Sequence, residues 1–425
     1  MRKNKMLTSS GVFLNFLKAI IGSGVLALPY AVYRAGIIPS IILLVIIWVI
    51  SVTTTIQVCQ AAAMLSNALH PCLHGSFTAP TSQPRKRLRA DARSLASTSH
   101  VDNEEDIVSY MQLSMATFGE RIGRGCAWIS LVPSQFVISA SFMIFISHNG
   151  AVVTGWSPGV LSIMSTLLAS VMCIPRTMDY LAYTSTLGNI AFVVSVTCIM
   201  WSAVNQGLHT SNLVWWGSWS GVFEAFGVLC LCFSAHPQAL SIATSADSQA
   251  RKHLPWLITA VLLVALVIFT SFGFIVLAAF GPKTEPVVFD NFPAQNLMMK
   301  LVRLLLSVML QATLPLILFP IFHILETSQI DAHNLSSRLT TRLSITSLAG
   351  TFAWLFVDYF EPFVAIVGGL TAITAFILPP LFYLELKPTP TTASERYIAI
   401  FCVILGVLGS LVSIASGIRT ITRSY

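Results

Sequence analysis

Long apolar stretches alternate with shorter polar ones along most of the chain. Eleven stand out, at 11–33, 37–65, 127–146, 159–173, 183–200, 222–244, 256–280, 301–325, 343–357, 363–384 and 397–418. A bilayer's hydrocarbon core is covered by about 20 helical residues at about 1.5 Å rise each, so most of these stretches can span it. They are continuous and lack the alternation that a membrane β-barrel strand needs. The pattern predicts an all-α polytopic membrane protein with 11 transmembrane helices. It also predicts the order along the chain: an N-terminal tail (1–10), helices 1 and 2 (11–66), a polar, partly disordered loop (67–122), helices 3 to 11 (123–418) and a C-terminal tail (419–425).

Composition agrees with a bilayer as the solvent. Charged residues make up 10% of the 425, against about 25% in soluble domains. Hydrophobic residues reach 55%, and mean hydropathy is +0.77. A net charge of +7 would suit nucleic acid, but the basic residues sit between apolar stretches. Topology explains them better, and no nucleic-acid partner is expected. With the N-terminus in the cytoplasm, 17 of the 24 Lys and Arg lie inside and 6 outside, with Lys18 in the membrane. That excess favours this orientation. The loop carries a basic run, Pro84 to Arg89, and an acidic one, Asp102 to Asp106, both read as solvated. The sequon Asn334-Leu335-Ser336 falls in a predicted cytoplasmic loop and is expected to stay unglycosylated. Lys18 also interrupts what would otherwise resemble a signal peptide, so the first helix is expected to be retained. The 8 cysteines read as small buried apolar side chains; Cys230 and Cys232 are too close for a metal or redox spacing. No cofactor and no metal are expected.

Two stretches are broken in the middle. The first contains Ile21-Gly22-Ser23-Gly24 and then Pro29, poor helix formers at mid-span. Backbone groups freed there must meet protein or a water-filled cavity, because lipid offers no hydrogen bonds. One turn earlier stands Lys18, a cation that costs about 2.5–3.5 kcal/mol at this depth on insertion scales. The second break is Phe233-Ser234-Ala235-His236-Pro237 in the sixth stretch. Interrupted helices in corresponding positions of two halves point to a transporter's binding site. The half-helix beyond Gly24 would present free N–H groups and a positive dipole to a carboxylate. The half-helix ending at Phe233 and Ser234 would present carbonyls to an ammonium group. Together they match a zwitterionic amino acid.

The run Leu17 to Ala31, followed by Ala35-Gly36, resembles the first helix of the amino acid/auxin permease family. Other pieces agree in order: Ser109-Tyr110 through Gly119, Ser134-Gln135-Phe136, Phe145 to Asn149, Phe233 to Pro237, Ala279-Phe280-Gly281, Asn291-Phe292-Pro293, and Gly368 through Tyr383. The likeness covers nearly everything except about 69–104. It implies a LeuT-type inverted repeat of five plus five helices, with helices 1 and 6 broken, and amino acid transport by alternating access. Its closest likeness is to the proton-coupled and vacuolar members. The implied substrate contacts are Ile21, Gly22, Ser23, Gly24, Phe233, Ser234, Ala235 and His236.

Coupling follows from the same likeness. Sodium-coupled members typically place Asn at the position of Lys18, whereas proton-coupled ones often have Lys. A fixed ammonium here would occupy the space and charge of the missing sodium, giving a Na⁺-independent, H⁺-linked carrier with protons as the coupling ion. The alternative is a permanently charged, structural Lys18. Thr313 matches a residue facing the sodium site and would accept a hydrogen bond from Lys18. Asn15 matches a position held by His or Asn. His236 is a second candidate proton carrier, since its ring titrates in the physiological range. Glu224 reads as an interfacial residue, with a gate or proton relay as the alternative. An acidic residue frequent in the family beyond the second break is replaced by Ile242-Ala243-Thr244. Ser134, Ile138 and Ser141 share one helix face, read as a helix–helix contact or as part of a side-chain pocket.

The lack of further charge at the breaks favours small or neutral amino acids. A membrane amino acid sensor, or transceptor, using the same site is the competing reading. No paired acids or His-x-Glu motif lie within the stretches, so an enzyme is not expected. The membrane is expected to be the plasma membrane or a vacuolar or lysosomal one.

Overall fold

The computed structural model describes residues 7–73, 109–174, 181–209, 213–293, 295–328, 335–387 and 389–423. The basic run, the acidic run and the sequon's Asn334 lie outside them. Among the described residues the elements are helical, apart from one isolated parallel bridge between Leu7 and Ala246. In chain order they are α1 (Ser9–Ile20), α2 (Gly24–Ala35), α3 (Ile37–Leu73), α4 (Tyr110–Phe118), α5 (Glu120–Thr154), α6 (Pro158–Met172), α7 (Leu181–Asn205), α8 (Trp219–Cys232) and α9 (His236–Thr244). Then follow α10 (Ser248–Lys252), α11 (Leu254–Phe280), α12 (Leu297–Ser328), α13 (Leu335–Leu355), α14 (Phe360–Ala372), α15 (Leu378–Leu386) and α16 (Ala393–Arg423).

Each predicted stretch falls on a helix or on a helix with a break. Eight helices among the described residues are long and apolar enough to cross a membrane, or nine with the bent pair α1–α2 counted as one span. Two predicted spans fall short of that test for different reasons. Helix α6 has 15 residues, and α13 carries Arg338 and Arg342 among many Ser and Thr. Length and apolarity alone therefore do not reach the predicted eleven. The polar segment before helix 3 is also shorter than expected, because α3 runs on to Leu73 and α4 precedes α5. Helix α4 starts with a capping box: Ser109 accepts from the Gln112 N–H, and Gln112 returns a bond to the Ser109 N–H at 2.8 Å. Gly123 lets α5 lie directly on α4, since a Cβ there would sit 2.3 Å from the Ser114 carbonyl oxygen.

Burial separates the centre from the lipid face. The most apolar window of the α8–α9 span is 83% buried and that of α5 72%, against 28% for α16. Helix α5 packs on α12, α2 and α14 pack on α8, and α16 covers α14. The α8–α14 contact is backbone to backbone: a Cβ at Gly368 would lie 1.7 Å from the Gly227 carbonyl oxygen. Helices α2 and α8 run antiparallel. Gly24 faces Cys232 and Leu231 at one end, while Gly217 and Ser218 donate to the Ala35 and Arg34 carbonyls at the other. Gly36, at φ 87°, turns the chain there against Trp216 and Gly217. The two broken spans thus meet side by side in opposite directions, as an inverted repeat requires.

Candidate substrate site

The first break is sharp. Helix α1 ends at Ile20 and α2 begins at Gly24, with a bend of 56° between their axes. Ile21 still donates to the Leu17 carbonyl at 3.2 Å, and Leu26 donates to Ser23 at 3.1 Å. Among the described residues, nothing accepts from the N–H groups of Gly22 and Ser23. The Ser23 hydroxyl is committed elsewhere, 2.8 Å from that of Ser141, which donates to the Ile138 carbonyl. Ser23 is therefore bound across to α5, and its backbone rather than its side chain is what remains on offer.

The second break is gentler and of another kind. Helix α8 ends at Cys232, and α9 starts at His236 with Pro237 in its first turn. The pair still reads as one span from Trp219 to Thr244 and lacks the sharp bend of the first. Pro237 has no N–H to return to the Phe233 carbonyl, and Ser234 donates only a long bond of 3.4 Å to Leu231. So the first break frees donors and the second frees acceptors.

A small, partly open cavity lies between the two. It holds about 20 Å³, room for about one water, and is bounded by Ile21 and Gly22, by Leu231 and Ser234, by Gln135, Ile138 and Phe142 from α5, and by Gln238 and Ile317. Of the predicted contacts, Ile21, Gly22 and Ser234 border it. Ser23, Gly24, Phe233 and Ala235 are buried in the packing immediately behind. Gly24 is where the helices touch: a Cβ there would meet Cys232 Sγ at 3.1 Å and Leu231 at 3.3 Å. Phe233 packs edge-on against Phe269.

His236 turns away. It is wholly buried, and its Nε2 lies 2.8 Å from Thr54 Oγ1 and 3.1 Å from Thr55 Oγ1 of α3. Since Thr54 donates its proton to the Ile50 carbonyl, Nε2 is the donor to it, and Nδ1 is left as a buried acceptor without a partner among the described residues. Its ring stands edge-on to Phe376. Helix α3, not the cavity, receives this side chain.

Lys18 also lies off the cavity, on the far side of α1. It is 3% exposed, and its Cε approaches Gly188 of α7 beside Met309 of α12. Thr313, one turn beyond Met309, is buried and donates to the Met309 carbonyl at 2.8 Å, which leaves its lone pairs to accept. Asn15 is half-buried on α1, one turn before Lys18. Next to Gly188, Asn189 donates to the Leu14 carbonyl at 2.8 Å and leaves its own Oδ1 buried without a partner. Cavity and cation thus occupy opposite sides of the first broken span.

Several polar groups here were not anticipated as site residues. Gln135 and Gln238 are buried and hydrogen-bonded to each other, Nε2 of Gln238 to Oε1 of Gln135 at 3.1 Å. Both are polar residues at mid-span in apolar stretches, a signal that was available. Glu224, near the end of its span, is buried among protein groups: it is 1% exposed, takes Arg34 at 3.1 Å and accepts from Ser416 and Thr420. Its partners lie on α2 and α16, far from it in sequence. Arg303 of α12 likewise holds Asn149 of α5, the Phe289 carbonyl and Asp290. The Ser134, Ile138, Ser141 face divides its work: Ile138 meets the cavity, Ser141 the Ser23 hydroxyl, and Ser134 its own helix at Leu131. Among the described residues there is no cluster fit to hold a metal, and Cys59, Cys126, Cys173, Cys198, Cys230, Cys232 and Cys402 are free thiols.

Known proteins share much of this chain's sequence pattern. The human protein "Solute carrier family 38 member 8" is 23% identical over 88% of this chain and 84% of its own length. "Vacuolar amino acid transporter 3" of Saccharomyces cerevisiae is 25% identical over 95% of this chain, which spans 55% of the yeast protein. The crystal structure of MhsT in complex with L-phenylalanine superposes with a TM-score of 0.49, at 12% identity, over 96% of this chain and 98% of that one. Residues 7–72 and 92–419 match the family described as "Transmembrane amino acid transporter protein". The match covers both broken spans and every proposed contact, and the chain belongs to that family.

Proposed function

We propose that this protein is a secondary active carrier of small or neutral amino acids that works by alternating access, independent of Na⁺ and linked to H⁺. The observation that carries the reading is the cavity between the two breaks. On one side it is bordered by Gly22, at the break whose N–H groups suit a carboxylate; on the other it is bordered by Ser234, at the break whose freed carbonyl suits an ammonium group. Its present size, about 20 Å³, holds no amino acid, so this conformation is a closed one that must open to load. Ile21 and Gly24 set the register of the first break, and Phe233 and Ala235 that of the second.

Lys18 supplies the coupling. A buried ammonium at the junction of α1, α7 and α12 stands where a carrier of this kind can hold a cation, so its charge replaces one and its protonation links transport to H⁺. Thr313 supports it as an acceptor, and Asn15 lies one turn away. Uptake of labelled alanine into proteoliposomes, with Na⁺ and pH varied separately, tests the reading. Accumulation driven by a pH gradient and indifferent to Na⁺ is the expected result; uptake that requires Na⁺ would overturn the coupling, and binding without turnover would favour a sensor.

A further inference from the structure

A second, larger cavity shares no wall with the first. It holds about 420 Å³, within the range of about 300–1,000 Å³ usual for ligand sites, and lies between α4, the end of α15 and the start of α16. The span α1–α2 crosses the bilayer and α3 returns, so α4, which follows α3, is on the N-terminal side of the membrane. The wall is held firmly: the Phe382 ring of α15 stands 5.2 Å from Tyr110 and 6.2 Å from Phe118 of α4. Phe118, Leu381, Leu384 and Ile400 give the cavity an apolar lining, to which the exposed Glu385 and Arg396 add one charge of each sign. Four charges lie on α15, the first turn of α16 and the turn between them. Lys387 and Glu395 pair with each other, and Tyr383 donates to the same carboxylate. Glu385 and Arg396 make no ion pair among the described residues, although one cavity holds both. The Arg396 Nε donates to the Thr391 hydroxyl at 2.8 Å, which orients the guanidinium and leaves its terminal NH₂ groups to donate. From the cavity an apolar stripe runs along α16 into the membrane. Ile400, Ile404, Leu408 and Leu411 recur every three or four residues, and each exposes more than half its surface. At about 1.5 Å per residue the stripe is about 16 Å long, about the hydrocarbon depth of one leaflet.

We propose that this cavity binds a phospholipid whose headgroup carries a phosphate and a primary ammonium group, phosphatidylethanolamine, with an acyl chain along the Ile400–Leu411 stripe. Arg396 takes the phosphate, for which a guanidinium offers paired N–H donors. Glu385 takes the ammonium group, whose N–H bonds it accepts. The pairing sets this lipid apart from its neighbours in the bilayer. A choline headgroup has no N–H to give to Glu385 and is held instead by aromatic faces, of which the cavity wall supplies one, Phe118. A headgroup that is only anionic would meet Arg396 but leave Glu385 facing a like charge. A free amino acid could satisfy both charges, but it would leave the apolar stripe uncovered, whereas an acyl chain continues from the headgroup straight onto it. The site joins α4, which leads directly into α5 of the first cavity's wall, to α15 and α16. It is independent of what the protein carries.

The test uses the purified, delipidated full chain in detergent, with native mass spectrometry and thermal melts as readouts. The probes are phosphatidylethanolamine, phosphatidylcholine and phosphatidylglycerol with identical acyl chains, and free alanine. The wild type is expected to hold one phosphatidylethanolamine about tenfold more tightly than either other lipid, and to melt at a higher temperature with it. Glu385→Gln is expected to bring the ethanolamine-to-choline ratio toward one. Arg396→Gln is expected to lower retention of phosphatidylethanolamine about tenfold. Both side chains are exposed, so the lipid-free variants are expected to melt with the wild type. Should either melt early, the wild-type ranking and Glu385→Asp, which keeps the charge and is expected to keep the preference, decide. A wild type that ranks the three lipids alike, or that prefers phosphatidylglycerol, overturns the proposal. Folded variants that keep the wild-type ranking overturn it too. So does stabilisation by alanine that both variants lose, without any preference for phosphatidylethanolamine, which would make the cavity an amino acid site. The transport reading stands or falls separately, since no probe here measures uptake.

Discussion

The two broken spans look alike in sequence, a weak helical stretch with a polar residue beside it, yet the structure uses them differently. At the first, two glycines allow a 56° bend and leave N–H groups open, while Lys18 points away to α7 and α12. At the second, one proline removes a hydrogen bond without a sharp bend, and His236 is tied to Thr54 and Thr55 of α3. Glycine opens a helix by permitting an unusual path; proline opens it by deleting a donor. A zwitterion needs both kinds of opening, donors at one break and acceptors at the other. The polar residues beside the breaks turn to different neighbours, Lys18 to α7 and α12 and His236 to α3.

The largest expected effect comes from removing the cation. Lys18→Met should lower alanine uptake by tenfold or more and flatten its dependence on pH; a variant that keeps full pH-driven uptake would leave the first break without its coupling role. Next is mending the second break. Pro237→Ala restores an N–H that can return to the Phe233 carbonyl, so the helix should become continuous. Transport should fall about tenfold while the melting temperature rises. Unchanged transport would mean that the freed carbonyl does not matter. His236→Leu should act on the fold instead. It strips the bonds to Thr54 and Thr55, a loss of about 1–3 kcal/mol in thermal or denaturant unfolding, with half-saturation for alanine within about twofold of wild type.

The smallest effect is expected outside the membrane. In the loop before α12, burial pushes the Asp290 carboxyl up, but its bonds and attraction to His148 and Arg303 outweigh this and hold it below the usual carboxylate range. A carboxyl lowered in the folded state stabilises above its unfolded pKa and loses that contribution as pH falls through the folded value. Asp290→Asn should therefore cost about 0.5–1 kcal/mol at neutral pH, and the cost should vanish under acidification below about pH 4. A cost that grows on acidification would contradict the sign.

How much of this could be read beforehand depends on how local each feature is. Both breaks were visible because Gly, Pro and polarity at mid-span are local signals, and the all-helical architecture followed from unbroken apolar runs. That the breaks meet depended on the antiparallel seating of α2 and α8, which rests on contacts between Arg34 and Gly217 and between Gly24 and Cys232, about two hundred residues apart. The direction of His236 was hidden for the same reason, since Thr54 and Thr55 belong to a span with no break to mark it. That Glu224 joins Arg34, Ser416 and Thr420 was hidden too, since all three lie far from it in sequence. Position along a helix gives depth, but the facing partner decides what a polar side chain does.

The central claim is that the two breaks recognise the charged groups common to all amino acids. It is tested most directly by competition in alanine counterflow with alanine methyl ester, which lacks the carboxylate, and N-acetylalanine, which lacks the ammonium group. Recognition by both breaks predicts that each derivative competes at least a hundredfold less well than alanine. A derivative that competes as well as alanine would show that the break assigned to the group it lacks is not part of the site.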